Sequence, residues 1–526
     1  MREECLKAVP NLGRIARRVS EQGPAASWAH VMATNSIPAP SSVLAVLVLL
    51  TVSLSISGAL LGKQNFWADE LSSLYFSDPT HSLRQIATLI WPRDTNPPLY
   101  YLLLYLWRHL VPGVDEFSIR AASLVPAALA CLSPLIYSSR IMRLERRLAV
   151  MVLLSCSPGL LYFAGEARGY ALVIFFSVNL CFLLLSAMQS LRAGGRTRAE
   201  LALLSTFCIA AAWTHFFGIL LAASAFPILL AGSVVLRRHV LPIGVAAALT
   251  ALAVMIWPLA QWSYMHEIAG SHWFISGAWD DMLAEAKWFA HQAFGARWSV
   301  LAIGLLVVAS MACTWSKRPG NKELLLLLLA LFFCWTIGLS LYVPIFYARY
   351  FVVMLPAVYM LVAEAIGDGA ERLSGQPSVL PFALILPIAG SFAVIWPAIE
   401  PPDREDWRAP ATVVNQTRSC AGAPIFVVSL PRDNGDSAYL YEHYLDASLG
   451  IRLIPVDASA PIDSAARQAV WRSSCPVKFW GAHIEGWQLT YLARSFAQFT
   501  PGFQLLPFRR GFLLVAAGPD TSAKRD

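Results

Sequence analysis

Apolar runs of about 20 residues, nearly free of charge, recur along the chain, and each is long enough to cross a bilayer core as a helix. They fall at 42–62, 121–139, 148–164, 170–190, 199–215, 216–236, 240–260, 298–315, 323–343, 350–366 and 379–398. One further apolar stretch, Leu99–Val111, is too short for a span. It reads as a helix embedded from the outer side without net crossing; the alternative is a full span with one charge cluster misplaced. Beyond Glu400 the pattern changes. Short apolar segments (Ile425–Leu430, Arg452–Val456, Val477–Trp480, Gly511–Ala516) alternate with helical stretches (Trp407–Arg418, Ser437–Asp446, Ser464–Arg472, Trp487–Phe496), the alternation of a small α/β unit. The pattern predicts a polytopic α-helical membrane protein with about 11–13 transmembrane helices and a small C-terminal α/β extracytoplasmic domain. Its parts are an N-terminal segment 1–41, a transmembrane domain 42–398 and an α/β domain 399–526.

Composition agrees: 57% of residues are hydrophobic, only 14% are charged and the mean hydropathy is +0.55, which excludes a soluble multi-domain enzyme. The net charge of +7 lies wholly before Glu400, because from there on 13 acids balance 13 bases. The excess gathers at Arg140, Arg143, Arg146 and Arg147; at Arg192, Arg196 and Arg198; at Arg237 and Arg238; and at Lys317, Arg318 and Lys322. With the basic N-terminus (Arg2, Lys7, Arg14, Arg17, Arg18) inside, all of these fall on the cytoplasmic side, as the positive-inside bias requires. This distribution marks a membrane, not a nucleic-acid partner. The first run is long for a signal peptide and reads as an uncleaved anchor. The expected place is therefore a bacterial inner membrane, multi-pass, with the N-terminus cytoplasmic and the C-terminal domain periplasmic. Seven of nine cysteines lie in the leader or in apolar spans. Cys420 and Cys475 each follow a helical stretch and precede a strand, and are expected to form a disulfide in that oxidising compartment. Asn415-Gln416-Thr417 matches a glycosylation sequon and reads as chance.

This topology gathers the polar motifs on one side. Trp67-Ala68-Asp69-Glu70 and Asn96-Pro97-Pro98 lie in the first outer loop, and Arg120 precedes the next span. Glu166-Ala167-Arg168-Gly169-Tyr170, Thr214-His215 and Tyr347-Ala348-Arg349-Tyr350 stand at the outer ends of later spans. Ionisable residues beside apolar spans are costly and so are functional candidates. Asp69 and Glu70 offer a base for an acceptor hydroxyl. Arg168, Arg349 and Arg120, with Tyr347, Tyr350, Glu166, Asn96 and His215, offer a site for a phosphate leaving group, which the planar fork of arginine suits. Glycosyl transfer from a lipid phosphate requires those two parts. No Gly-rich phosphate loop, Cys/His metal spacing or Ser-His-Asp arrangement stands out.

Asp69-Glu70, Asn96-Pro97-Pro98-Leu99-Tyr100-Tyr101, Glu166-Ala167-Arg168-Gly169-Tyr170, Arg349-Tyr350 with Pro356, and Glu405-Asp406-Trp407-Arg408 together resemble the GT-C glycosyltransferases. The likeness is closest to the bacterial branch related to protein O-mannosyltransferases and aminoarabinose (lipid A) transferases. Two positions depart from that branch: Asn96 stands where His is common, and Gly165 where Gln is common. The resemblance implies a polyprenyl-phosphate-sugar donor, a lipid, glycan or protein acceptor, transfer at the outer face with inversion, and the first-loop acid as base. It leaves open the sugar, hexosyl or pentosyl, and whether a divalent cation (Mg or Mn) assists at Glu70 and Glu166; no cofactor is certain. An undecaprenyl-linked glycan ligase or polymerase is the alternative function, although an acidic first-loop pair is not expected there. A transporter is the third reading, but such proteins place polar groups near the bilayer midplane, not at one face.

Overall fold

A computed structural model describes residues 40–93, 96–111, 113–195, 197–263, 279–295, 304, 320–343, 345–374, 405–416, 424–429, 438–457, 477–482, 494 and 503–516. Contacts divide the chain into Met1–Leu49 and Leu50–Asp526. The first unit contributes the start of helix α1 (Pro40–Leu60); everything below concerns the second.

Three short helices come first: α2 (Ala68–Phe76), α3 (Leu83–Arg93) and α4 (Leu99–Leu110). The 12 residues of α4 measure roughly 18 Å at the helical rise, short of a bilayer core of about 30 Å, and its apolar face is continuous with the buried cluster around Tyr100, Tyr101 and Leu104. Helix α5 (Glu116–Leu132) continues as a 3-10 turn to Ile136. There follow α6 (Leu144–Ser155), α7 (Pro158–Ala164), α8 (Tyr170–Ala193), α9 (Arg198–Thr214), α10 (Phe217–Leu236), α11 (Val240–Ala260), α12 (Trp279–Phe294), α13 (Asn321–Ser340), a 3-10 turn (Ala348–Met354) and α14 (Leu355–Ser374).

Among the described residues, six helical segments are long and apolar enough to cross a membrane: Glu116–Ile136, α8, α10, α11, α13 and Ala348–Asp368. A seventh is counted if the bent pair α6–α7 is one span. Of the expected span 298–315 only residue 304 is described, and 379–398 lies outside the described residues. The expected 148–164 span is not straight: α6 and α7 meet at 56°. Pro158 begins the second helix and Ser157 caps it through the amide of Leu160, so the chain restarts instead of continuing. Helix α8 is the hub, packing against α5, α9, α10 and α14, and 83% of its apolar window is buried. For α11 the figure is 22%, and Leu241, Leu249, Leu252 and Leu259 face outward as lipid-facing side chains must.

The C-terminal segment carries α15 (Arg408–Asn415), α16 (Ala438–Glu442) and five strands: β1 (Pro424–Ser429), β2 (Arg452–Asp457), β3 (Val477–Ala482), β4 (Phe503–Phe508) and β5 (Gly511–Ala516). Their order is β2-β1-β3-β5-β4, with β1 parallel to both β2 and β3 and the β4–β5 hairpin antiparallel. The four strands expected from sequence are present. β4 was missed, since Pro507 lies in it, and proline is confined to sheet edges; β4 is an edge strand. Trp407, Tyr441 and Trp480 fill the space over the sheet. The neighbouring of β1 and β3 agrees with the reasoning behind the Cys420–Cys475 pairing, but both cysteines lie outside the described residues. Asn415, the sequon residue, spends its side chain inside the fold, donating to the carbonyl of Tyr444 and accepting from the amide of Asp446.

The α9–α10 turn depends on a glycine. A Cβ added at Gly218 would lie 2.3 Å from the carbonyl carbon and oxygen of Ala211, backbone atoms that cannot swing aside. Gly218→Ala should therefore separate the two helices and destabilise by about 1–3 kcal/mol, the range for overpacking. The thermal unfolding of the detergent-solubilised protein measures it; an unchanged midpoint would contradict this packing.

Candidate active site

Helix α2 begins one residue before Asp69, and its first turn decides the roles of the two acids. Adjacent helical residues point about 100° apart, so Asp69 and Glu70 cannot share one environment. Glu70 turns inward and is 0% exposed. It caps its own helix by accepting from the amide of Trp67 (3.3 Å), and it accepts from the amide of Ala167 at 2.8 Å. Arg120, 1% exposed on α5, grips it with two parallel bonds of 2.7 and 2.6 Å. The remaining guanidinium donors of Arg120 reach the carbonyls of Leu61, Gln64 and Asn65, at 2.6, 2.7 and 3.0 Å. Sequence reasoning offered Glu70, with Asp69, as a catalytic carboxylate and Arg120 as a phosphate ligand. The structure engages both in this buried pair, because each one's bonding capacity is taken up by the protein itself.

Asp69 turns the other way. Its side chain is 39% exposed and stands between two guanidinium groups, 3.7 Å from Arg168 and 3.5 Å from Arg349. Arg168 enters from the loop before α8 and donates to the carbonyl of Asp69 (3.2 Å), the hydroxyl of Ser73 (3.4 Å) and the phenol of Tyr101 (3.0 Å). Arg349 enters from the 3-10 turn before α14. Its guanidinium lies 4.6 Å over the ring of Trp67 and 5.2 Å from that of Tyr347, contacts that suit a cation on aromatic faces. The ion pairs to Asp69 are longer than the 2.7–2.9 Å of a charge-assisted hydrogen bond, about which such pairs are strongest. Three loops remote in sequence thus place one acid and two cations together.

The other candidates surround them. Glu166 is buried and near enough to act on the charge of Arg349. Tyr350 contacts the rings of Tyr347, His215 and Phe217, at 5.4, 5.2 and 5.0 Å. Asn96 and His215 line a small cavity with Tyr100, Tyr101, Arg168 and Tyr170. Gly169 lets the walls approach: a Cβ there would meet Thr214 at 3.0 Å and Tyr100 at 3.3 Å. Both oxygens of Glu70 accept from Arg120, and among the described residues no group of three or more His, Cys, Asp or Glu is gathered.

Sequence reasoning missed two supports. Glu285 on α12 accepts from the amide of Ala348 at 2.7 Å and so fixes the turn bearing Arg349. The amphipathic run around Met282 and Phe294 was the available signal. The second is the contact of the C-terminal segment with α2, although Glu405 itself stood in a motif already singled out: Glu405 accepts from the amide of Ala68 at 3.2 Å, and Tyr444 accepts from that of Phe66 at 2.7 Å. Burial and the hydrogen bond to Glu116 push the Tyr444 phenol up, so it keeps its proton as a donor to Glu116 at 2.6 Å.

No family model matches the chain, and no curated protein sequence matches it. Solved structures do. ArnT from Cupriavidus metallidurans in the apo state is 14% identical and superposes over 91% of this chain and 100% of its own, with a TM-score of 0.58. The same protein bound to undecaprenyl phosphate gives 13% identity, 92% and 99% coverage and a TM-score of 0.57. The fold is that of the GT-C glycosyltransferases. The likeness in architecture thus extends over nearly the whole chain.

Removing Arg120 would strand a buried carboxylate. Arg120→Ala should cost about 3–5 kcal/mol, as breaking a buried pair does, and Glu70→Gln in the same background should recover part of the loss. Thermal unfolding of both variants reads the effect, and simple additivity of the two changes would speak against the pair.

Proposed function

We propose that this protein is an integral-membrane glycosyltransferase that moves a sugar from a polyprenyl-phosphate donor to an acceptor hydroxyl at the periplasmic face. One observation carries the reading: Asp69, part exposed, stands between Arg168 and Arg349. Those are the parts that displacement of a lipid phosphate from a sugar calls for. Asp69 takes the proton of the acceptor hydroxyl as its oxygen attacks the anomeric carbon. The new C–O bond forms as the bond to phosphate breaks, the electron pair leaves with the polyprenyl phosphate, and the anomeric configuration inverts. Arg168 and Arg349 hold the phosphate and balance the charge it gains on leaving. The undecaprenyl phosphate bound by the structural neighbour ArnT supports a lipid-phosphate ligand for the same architecture. The outer-face location rests on the positive-inside distribution, with the basic clusters at the opposite ends of the spans. No step here runs through a metal ion.

Asp69→Asn keeps size and most hydrogen bonding but removes the base. It should lower transfer by ~10²–10⁴-fold, the usual contribution of general base catalysis. The assay is product formation in a deletion strain, followed by intact mass of envelope lipids and glycans, where the restored mass also names sugar and acceptor. Wild-type product from Asp69→Asn would refute the assignment.

Arg168→Lys and Arg349→Lys keep the charge but lose the fork, so the affinity of the purified protein for undecaprenyl phosphate should fall about tenfold or more. Unchanged binding by both Lys variants would place the phosphate elsewhere.

A further inference from the structure

The loop that carries Asp69 is hydrogen-bonded to the C-terminal segment at nearly every residue preceding the acid. The side chain of Asn65 donates to the carbonyl of Glu405 (2.8 Å), the amide of Phe66 to the phenol of Tyr444 (2.7 Å), and the amide of Ala68 to the carboxylate of Glu405 (3.2 Å). One turn after Ala68, Ser72 shares a hydrogen bond with Tyr439 (3.1 Å), whose ring stacks on Tyr75 at 4.2 Å. Glu405 is 1% exposed. Its carboxylate sits at the N-terminus of α2, where the first amides lack helical partners and the helix end is partially positive.

These contacts form a closed circuit. Glu116, at the start of α5, accepts from both Tyr444 (2.6 Å) and Arg408. One helical turn later the same helix presents Arg120 to Glu70. The first turn of α2 is thus held from below by Arg120 and from the C-terminal side by Glu405 and Tyr444, and the residue between these holds is Asp69.

We propose that Glu405 is a positioning residue for Asp69: through the amide of Ala68 it sets the direction of the first turn of α2, and so where the Asp69 carboxylate stands relative to Arg168 and Arg349. The inference rests on the function proposed above and extends it. The C-terminal segment is then a working part of the transfer site. Arg168 and Arg349 are also anchored away from α2, by Tyr101 and by Tyr347 and the Glu285-held turn, so loss of Glu405 should misplace the base far more than it weakens phosphate binding.

The test uses full-length Glu405→Gln, which keeps an acceptor oxygen but removes the charge, with wild type and Asp69→Asn alongside. Expected is a fall of about tenfold or more in envelope product per amount of membrane protein, against undecaprenyl phosphate binding within about twofold of wild type, because a small misplacement of a catalytic group costs rate steeply. Amide exchange over 65–72 should quicken in the same variant. Wild-type product formation by Glu405→Gln, or loss of product and binding together, overturns the proposal. If Glu405→Gln does not accumulate, Tyr444→Phe, which removes the hydroxyl that receives the Phe66 amide, is read by the same two outcomes. Full product from Asp69→Asn would instead sink the catalytic reading itself, so the two failures are distinguishable.

Discussion

A buried carboxylate and a buried guanidinium, Glu70 and Arg120, hold the site-bearing end of the bundle together. Taking both charges out of water costs several kcal/mol per ion, and the cost is offset only when the geometry is good and every remaining donor and acceptor is met. Here they are met by the chain itself: Trp67 and Ala167 for the acid, and Leu61, Gln64 and Asn65 for the cation. The pair therefore fixes four segments at once: the end of the first span, the first turn of α2, the start of α5 and the loop before α8. A hydrophobic contact could supply comparable stability, but it is not directional. The fork of Arg120 specifies the azimuth of α2, and with it the face on which Asp69 emerges.

That azimuth explains why two neighbouring acids have different fates. Glu70 is saturated by short bonds, whereas Asp69 keeps only long ion pairs to Arg168 and Arg349 and remains partly open. The same contrast separates the arginines. Arg120 has its donors committed to the protein at 2.6–3.0 Å, while the fork of Arg349 meets Asp69 at 3.5 Å and rests on aromatic faces. A cation held by ring faces is aimed without its hydrogen bonds being consumed, which leaves them for an anion. The distinction between a structural and a ligand-facing arginine lies in bond lengths and burial, not in residue type.

That is also where the sequence runs out. Hydropathy places α8, α10, α11 and α13 to within a few residues, because a span must be apolar along its whole length whatever it packs against. It gathers Asp69, Arg168, Arg349, Tyr350, Asn96 and His215 at one end of the spans, since each stands at the end of an apolar run or on the loop after the first. It does not say which side chain points where. Glu70 and Arg120 look like site residues in a string of letters for the same reason they are buried: charge beside an apolar span needs a partner, and the partner can be substrate or protein. The break at Ser157–Pro158 and the helix Trp279–Phe294 were obscured for local reasons, one by an unbroken apolar run and the other by a mixed aromatic and polar composition. Glu285 and Glu405 act through backbone amides hundreds of residues or several helices away, and periodicity carries no trace of such contacts.

The other end of the bundle shows that charge does two jobs there as well. The positive-inside reading counts Arg140, Arg143, Arg146, Arg147 and Lys322 alike. In the fold, Arg140 and Arg143 are exposed, whereas Arg146 pairs with Glu364 and Asp368, and Lys322 pairs with the same Asp368 at 2.5 Å. Arg147 instead binds the carbonyls of Pro134, Leu135 and Tyr137, closing the end of the α5 span. Acids on α14 thus tie α6 and α13 into one layer, with Asn321 bridging Glu364 and the carbonyl of Ile141. The bonded bases lock helices whose opposite ends carry the loops of the candidate site. Fixing α14 and α6 at the basic end constrains the turn bearing Arg349 and the α7–α8 loop bearing Arg168, because packed helices transmit position along their length. The two guanidinium groups that flank Asp69 are in that sense held from both ends of the bundle.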